Sequence, residues 1–211
     1  MTEAIPFDYA NAKPSCTNPY LAPVIRRFVS SLKPGAALID LGCGNGSMLN
    51  SALRPDVRAC GIDASASGIR QAKMSLPQAR FYLSDVAGPL PEDLAPGSFD
   101  AVISTETVEH LMSPRCLARN AFSLLKPGGS FLVSTPYHGY GKNIFLSLTG
   151  HMDAHFTALC DGGHVKFWSR KTLCALLAEV GFEEFTFVGA GRVPFFWKSM
   201  IVICKKPQNG K

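Results

Sequence analysis

Apolar positions along this chain fall into two kinds of block, and the two kinds take turns. Residues 20–32 carry Leu21, Val24, Ile25, Phe28, Val29 and Leu32 at three- and four-residue spacing, which predicts an amphipathic helix stopped by Lys33-Pro34-Gly35. Short apolar runs at 36–40, 57–63, 80–85, 99–105 and 130–135 predict strands. Helical periodicity follows three of them, at 47–53, 65–75 and 114–125. Asn45 or Ser47 suits the N-cap of the first of these helices, Ser65 that of the second, and Lys126-Pro127-Gly128-Gly129 the stop of the third. The pattern breaks at 137–168, where aromatics, glycines and four histidines replace it. It resumes with a helix at 169–180 and two strands at 184–188 and 195–204 joined by a Gly/Pro loop short enough for a hairpin.

Strand–helix alternation of this kind predicts an α/β chain: a doubly wound, mostly parallel seven-stranded sheet with helices on both faces and an antiparallel closing hairpin strand. A length of 211 residues fits a single domain, and 46% hydrophobic against 18% charged residues gives it a core to bury. The net charge of +5 is mild and its basic residues are scattered, so nucleic acid is not an expected partner. Seven dispersed cysteines without a C-x-x-C pair fit reduced thiols. The first ten residues lack an apolar leader core, and no stretch approaches the roughly 20 apolar residues of a membrane span. A cytoplasmic protein without a transmembrane segment is therefore expected.

The densest chemistry lies at 38–46, Leu-Ile-Asp-Leu-Gly-Cys-Gly-Asn-Gly. A buried strand ends at Asp40, and Gly42, Gly44 and Gly46 make a turn where backbone can approach a ligand closely. A pyrophosphate over that turn would be repelled by Asp40, and the dinucleotide fingerprint needs Gly or Ala where this chain has Ser47. A ligand with a cationic amino group would instead be attracted. Asp63 and Asp85 end the next two predicted strands, placed to accept from ribose hydroxyls and from an exocyclic adenine amine. One such Asp is most often a turn cap. Three at successive strand ends, the first within D-x-G-x-G-x-G, point to an adenosyl ligand that lacks phosphate.

With these motifs, with Ser98-Phe99-Asp100-Ala101-Val102 and with Lys126 to Gly129, residues 36–204 resemble the class I (Rossmann-like) S-adenosylmethionine-dependent methyltransferases. The resemblance implies S-adenosylmethionine as cofactor, with Asp40, Gly42, Gly44 and Gly46 facing its methionyl portion. It further implies Asp63 at the ribose, Ala64 near ribose or adenine, Asp85 with Val86 at the adenine, and Thr105 with Glu106 near the methionine end. The chain then divides into an N-terminal segment and helix (1–35), a cofactor-binding core (36–136), a substrate lid (137–168), a closing helix and hairpin (169–204) and a tail (205–211).

Glu106-Thr-Val-Glu109-His110, Gly163 to Ser169 and 178–182 are loosely similar to the quinol O-methyltransferases of ubiquinone biosynthesis. That likeness implies a small-molecule acceptor, methylated at a hydroxyl or quinol-like oxygen, with His110, His138 and His164 as candidate bases. Methylation of a small amine, and a non-catalytic module that only binds, stay open as alternatives. The Glu-x-x-Glu-His pattern also resembles the metal motif of RNA 2′-O-methyltransferases. On a helix Glu106, Glu109 and His110 would share one face, able to bind a divalent cation given one further ligand such as His138 or His164. No basic RNA-binding module accompanies the pattern, so no metal is expected there, nor at His151-x-Asp153-x-His155. Residues 143–148 are apolar enough to greet a hydrophobic substrate, touch a membrane surface peripherally, or pack as a buried lid helix. Trp168, Phe195, Phe196 and Trp197 are expected in the core or pocket wall. Both monomer and homodimer are compatible with the sequence.

Overall fold

The computed structural model describes residues 7–156 and 158–208. A seven-stranded sheet runs in the order β3-β2-β1-β4-β5-β7-β6, where β1 is Ala37–Leu41, β2 Arg58–Asp63, β3 Arg80–Leu83, β4 Phe99–Thr105, β5 Leu125–Pro136, β6 Glu183–Ala190 and β7 Ser199–Lys205. The five strands β1 to β5 pair in parallel, and β7 runs antiparallel to both β5 and β6. The antiparallel strand of the closing hairpin therefore sits one place in from the edge, and β6 forms the edge itself.

Both faces are covered, as a parallel sheet requires. One face packs on α4 (Pro114–Leu124) and α7 (Arg170–Val180), the other on α1 (Asn18–Ser30), α2 (Ser47–Ala52) and α3 (Ala66–Ser75). Two apolar layers result, one around Phe131, Leu117 and Leu173, the other around Leu21, Leu49 and Ile103. All five residues of β1 are buried, which places the strand carrying Asp40 at the centre of the molecule.

Strand β7 begins at Ser199, four residues later than expected, and three further boundaries differ for local reasons. Helix α1 begins two residues earlier than its apolar pattern, because Pro19 is tolerated in a first turn whose N–H groups have no helical partner. Residues 126–129 do not stop α4 as a loop; they open β5, with a register shift between Phe99 and Ala101 and Gly128 at φ +74°. Strand β3 ends at Leu83, so Asp85 lies in the following turn, where its Oδ1 accepts from Ala87 N–H at 2.9 Å.

Candidate functional site

The carboxyl ends of β1, β2 and β4 meet at one side of the sheet, where the order reverses between β1 and β4. Here Asp40 is wholly buried, and neither of its oxygens has a hydrogen-bond partner among the described residues. Burial, with a smaller push from Asp63, raises its pKa from 3.8 to about 8. An orphaned buried carboxyl is costly to keep unless a ligand supplies the donors, and an ammonium group would both ionise and satisfy it.

The turn after β1 is shaped by backbone contact. Gly42 (φ +87°) and Gly44 (φ +51°) adopt the left-handed conformation, and a Cβ would strike Thr107 at the first and the Tyr9 hydroxyl at the second. Gly42 N–H and Cys43 N–H both donate to the Ile62 carbonyl, at 2.8 and 3.0 Å, and hold the turn to β2. Gly46 completes the turn by capping α2.

Asp63 locks this turn to the next one. Its Oδ2 accepts from Gly44 N–H at 2.7 Å and its Oδ1 from Ser65 N–H at 2.8 Å. Burial raises its pKa, and these two backbone donors oppose the rise. Ala64 lies half-buried between the two turns. Ser65 caps α3 as expected, accepting from Gly68 N–H at 3.0 Å. Val86 directs its side chain into the core, and the Asn120 amide holds the Val86 carbonyl at 2.9 Å.

At the end of β4 the chain departs from the expected helix. Glu106 takes φ +51°, a strained conformation for a non-glycine residue, and only Val108–His110 form a short 3-10 turn. Glu106 is consequently held by partners other than Glu109 and His110. Ser134 Oγ donates to it at 2.7 Å and Ser199 Oγ at 3.0 Å. Burial lifts its pKa to about 7 against the pull of those hydroxyls and of Lys142. Thr105 closes β4 with its carbonyl accepting from the Thr107 hydroxyl at 3.1 Å.

The expectation that Glu106, Glu109 and His110 share a helical face is thus corrected. His164, from 54 residues further along, takes the place of Glu106. Donor atoms of Glu109, His110 and His164 lie within 4.8 Å of one another, and this is a set that is able to hold a divalent cation. Glu109 is 1% exposed, its oxygens make no hydrogen bond of ordinary geometry, and burial followed by Glu106 drives its pKa well up. His110 Nδ1 lies 2.9 Å from the Gly162 carbonyl, a contact that puts the proton on Nδ1 and leaves Nε2 as acceptor. The His110 and His164 rings meet edge-on at 5.0 Å, and burial, then His110, lowers the His164 pKa.

His138 is not brought into this cluster. It packs among His155, Phe156 and Phe167, where burial first and neighbouring cations second depress its pKa to about 4. His151, Asp153 and His155 form no metal-binding group among the described residues.

The segment 137–168 folds into α5 (Tyr140–Leu148) and α6 (Met152–Phe156). Helix α5 is not the buried helix expected: Tyr140 is 89% and Leu148 83% exposed, and its one buried residue is Lys142. Lys142 Nζ donates to the carbonyls of Tyr137 at 2.9 Å and Trp197 at 3.2 Å. Phe195 is 69% exposed, which excludes the core of the two positions expected, core or pocket wall, while Trp197 packs edge-on against Tyr137.

Sequence reasoning missed two residues of this site. A lysine on an amphipathic helix reads as solvated, so nothing marked Lys142. Tyr9 lies in an irregular leader without periodicity, so nothing marked it either.

The family described as a methyltransferase domain matches residues 17–185. The ubiquinone biosynthesis O-methyltransferase of Xanthomonas campestris is 37% identical over 109 residues, covering 48% of this chain and 44% of that protein. The same enzyme of Ralstonia nicotianae is 32% identical over 118 residues, covering 55% of this chain and 49% of its own. The matched region thus spans about half the length of these curated relatives. Among solved structures, the methyltransferase in complex with the Trm112 activator from Haloferax volcanii superposes with a TM-score of 0.71 at 15% identity, covering 90% of each chain. At that identity the likeness speaks for the fold. With most of its length matched by the family and the glycine turn in place, the chain belongs to the class I S-adenosylmethionine-dependent methyltransferases.

Proposed function

We propose that this methyltransferase acts on a hydroxyl of a small phenol- or quinol-like acceptor, bound between the end of β4 and the segment 137–168, which serves as a lid. The observation that carries this reading is the Glu109–His110–His164 cluster, a buried carboxyl beside two imidazoles of which one has its tautomer set by Gly162. A hydroxyl must lose its proton by the end of methyl transfer, and it gains from a base held in one orientation. A neutral amine acceptor gains far less. The relatives named for ubiquinone O-methylation support the same acceptor class.

The residues fit the donor. Asp40 would take its ammonium group, Asp63 the ribose hydroxyls, Asp85 and the Val86 backbone the adenine, and Gly42, Gly44 and Gly46 leave room for its amino-acid end. S-adenosylmethionine supplies an already electrophilic methyl group. The chain is left with alignment, water exclusion and proton removal. Alignment alone is worth about 7–11 kcal/mol. His110, with Nε2 free to accept, is the base we assign, and His164 packs on it to restrict its rotation. His138 is set aside as base, since a pKa of about 4 makes it a poor proton acceptor.

A labelled-donor screen across quinols, phenols, amines and carboxylates tests the assignment. Transfer to a hydroxyl, lost in His110→Ala, supports it, and transfer confined to amines overturns it. A second reading, a divalent cation held by the same three residues, is favoured by their 4.8 Å grouping. Activity that survives exhaustive chelation removes that second reading and leaves the base.

A further inference from the structure

We propose that residues 7–13 are a gate over the donor pocket, closed in this structure, with Tyr9 forming the wall that seals the donor against the glycine turn. The proposal rests on the donor assignment above and adds a segment that the D-x-G-x-G-x-G motif does not contain.

The segment has neither helix nor strand of its own, yet four hydrogen bonds strap it across the site. Tyr9 N–H donates to Ser67 Oγ at 2.9 Å, and the Phe7 carbonyl accepts from Ser65 Oγ. The Asn45 amide donates to the carbonyls of Asn11 at 2.9 Å and Lys13 at 3.0 Å. Each anchor lies on the glycine turn or on the first turn of α3, the two turns that Asp63 joins. The strap is thus fastened to both lips of the pocket.

The Tyr9 ring fills the space that the glycines leave. A Cβ on Gly44 would strike its hydroxyl, and one on Gly68 would come within 2.9 Å of its ring. Its phenol is held protonated by burial, with Asp63, Cys43 and Asp40 adding to the effect in that order. A neutral hydroxyl in the field of both Asp40 and Asp63 lies at the seam between the amino-acid and ribose ends of the donor, where it can donate to either. Asp40 has no exposed surface in this structure, and its charge is among those that Tyr9 feels. In the closed state we assign, the donor enters while the strap is displaced.

Opening is cheap relative to unfolding. The strap contributes one packed ring and four side chain–backbone bonds, and Phe7 at its end is 69% exposed. Segments with so few buried contacts open locally, well below the free energy of global unfolding. Closing on a bound donor slows its release, since affinity differences of this kind reside mainly in the off-rate.

The test is stopped-flow release of S-adenosylhomocysteine from the full chain and from Tyr9→Ala, Tyr9→Phe and Ser67→Ala, with thermal melts to confirm folding. Tyr9→Ala is expected to release the product roughly tenfold faster or more, with smaller accelerations for Ser67→Ala and Tyr9→Phe. Amide exchange at 7–18 is expected to slow when the product binds. Release from all three variants at the rate of the unaltered chain, or exchange at 7–18 indifferent to the ligand, overturns the gate while leaving the donor site standing. Absence of saturable binding to the unaltered chain overturns the donor assignment itself. Should Tyr9→Ala fail to fold, Tyr9→Phe and Ser67→Ala decide.

Discussion

The donor half of this site and the half we assign to the acceptor are built by different means. At the donor half, the ends of β1 and β2 bring backbone together with Asp40 and Asp63, and Asp63 ties two turns together with both of its oxygens. At the acceptor half, the groups come from a strained turn after β4 and from 137–168, a segment with much of its apolar surface exposed. The first half is set by register within the sheet. The second depends on long-range meetings such as His110 with Gly162. A site divided as we propose can keep its donor while its acceptor changes, since changes in 137–168 leave β1 and β2 untouched.

The largest effect that sharpens this contrast is expected at the acceptor half. His110→Ala should lower turnover by roughly 10²–10⁴, the usual contribution of a general base, with donor affinity unchanged by calorimetry. His164→Ala should lower it less, because it acts by positioning, and should leave donor affinity unchanged. Equal losses of turnover and of donor affinity in either variant would merge the two halves into one site.

Asp63→Ala comes next, and it strikes the donor half. Two backbone N–H groups, on Gly44 and Ser65, lose their acceptor, and the ribose loses its partner. Unsatisfied buried donors cost about 1–3 kcal/mol each, so donor affinity should fall on the order of a hundredfold and the melting temperature should drop. Retained affinity would show that the glycine turn stands without its clamp.

Asp40→Asn separates stability from binding. The folded-state pKa of Asp40, raised from 3.8 to about 8, means that the folded protein holds a proton which the unfolded chain gives up between those values. Free-protein stability should therefore fall as pH rises from about 4 to about 8 and level off above, to the extent that Asp40 contributes. The Asn variant should lose that slope and melt higher than the unaltered chain at pH 8, yet bind donor roughly tenfold more weakly. A lower melting temperature for Asn at pH 8 would mean that Asp40 is already satisfied in the free protein.

The same contrast decides what the sequence could tell. Periodicity and glycine spacing located every strand of the sheet, and D-x-G-x-G-x-G located the donor turn, because those signals are local and a parallel sheet aligns strand ends by register. The Glu106 side chain was misplaced because helical spacing was assumed where the backbone turns left-handed, a conformation that sequence does not announce for Glu. His164 was singled out, but its pairing with His110 depends on a lid whose path no periodicity fixes. Tyr9 and Lys142 left no signal, since each gains its meaning only from backbone carbonyls or turns far away in the chain.

Lys142→Met offers the smallest expected effect and a sensitive check on whether the halves are separate. Its ammonium group ties α5 to the carbonyls of Tyr137 and Trp197, and burial depresses its pKa to about 8. Losing that tie should loosen α5 and leave the sheet as it is, since α5 buries no other residue. The melting temperature should then move by no more than a few degrees, while proteolysis within 137–168 accelerates and donor affinity holds. Raising the pH of the unaltered chain from about 8 towards 10.5 should firm the same segment, because the folded protein gives up the Lys142 proton before the opened chain does, so burial of the charge ceases to oppose closure. If Lys142→Met instead lowers the melting temperature as far as Asp63→Ala does, lid and sheet unfold as one cooperative unit. The freedom of the lid to vary would then need another explanation than local independence.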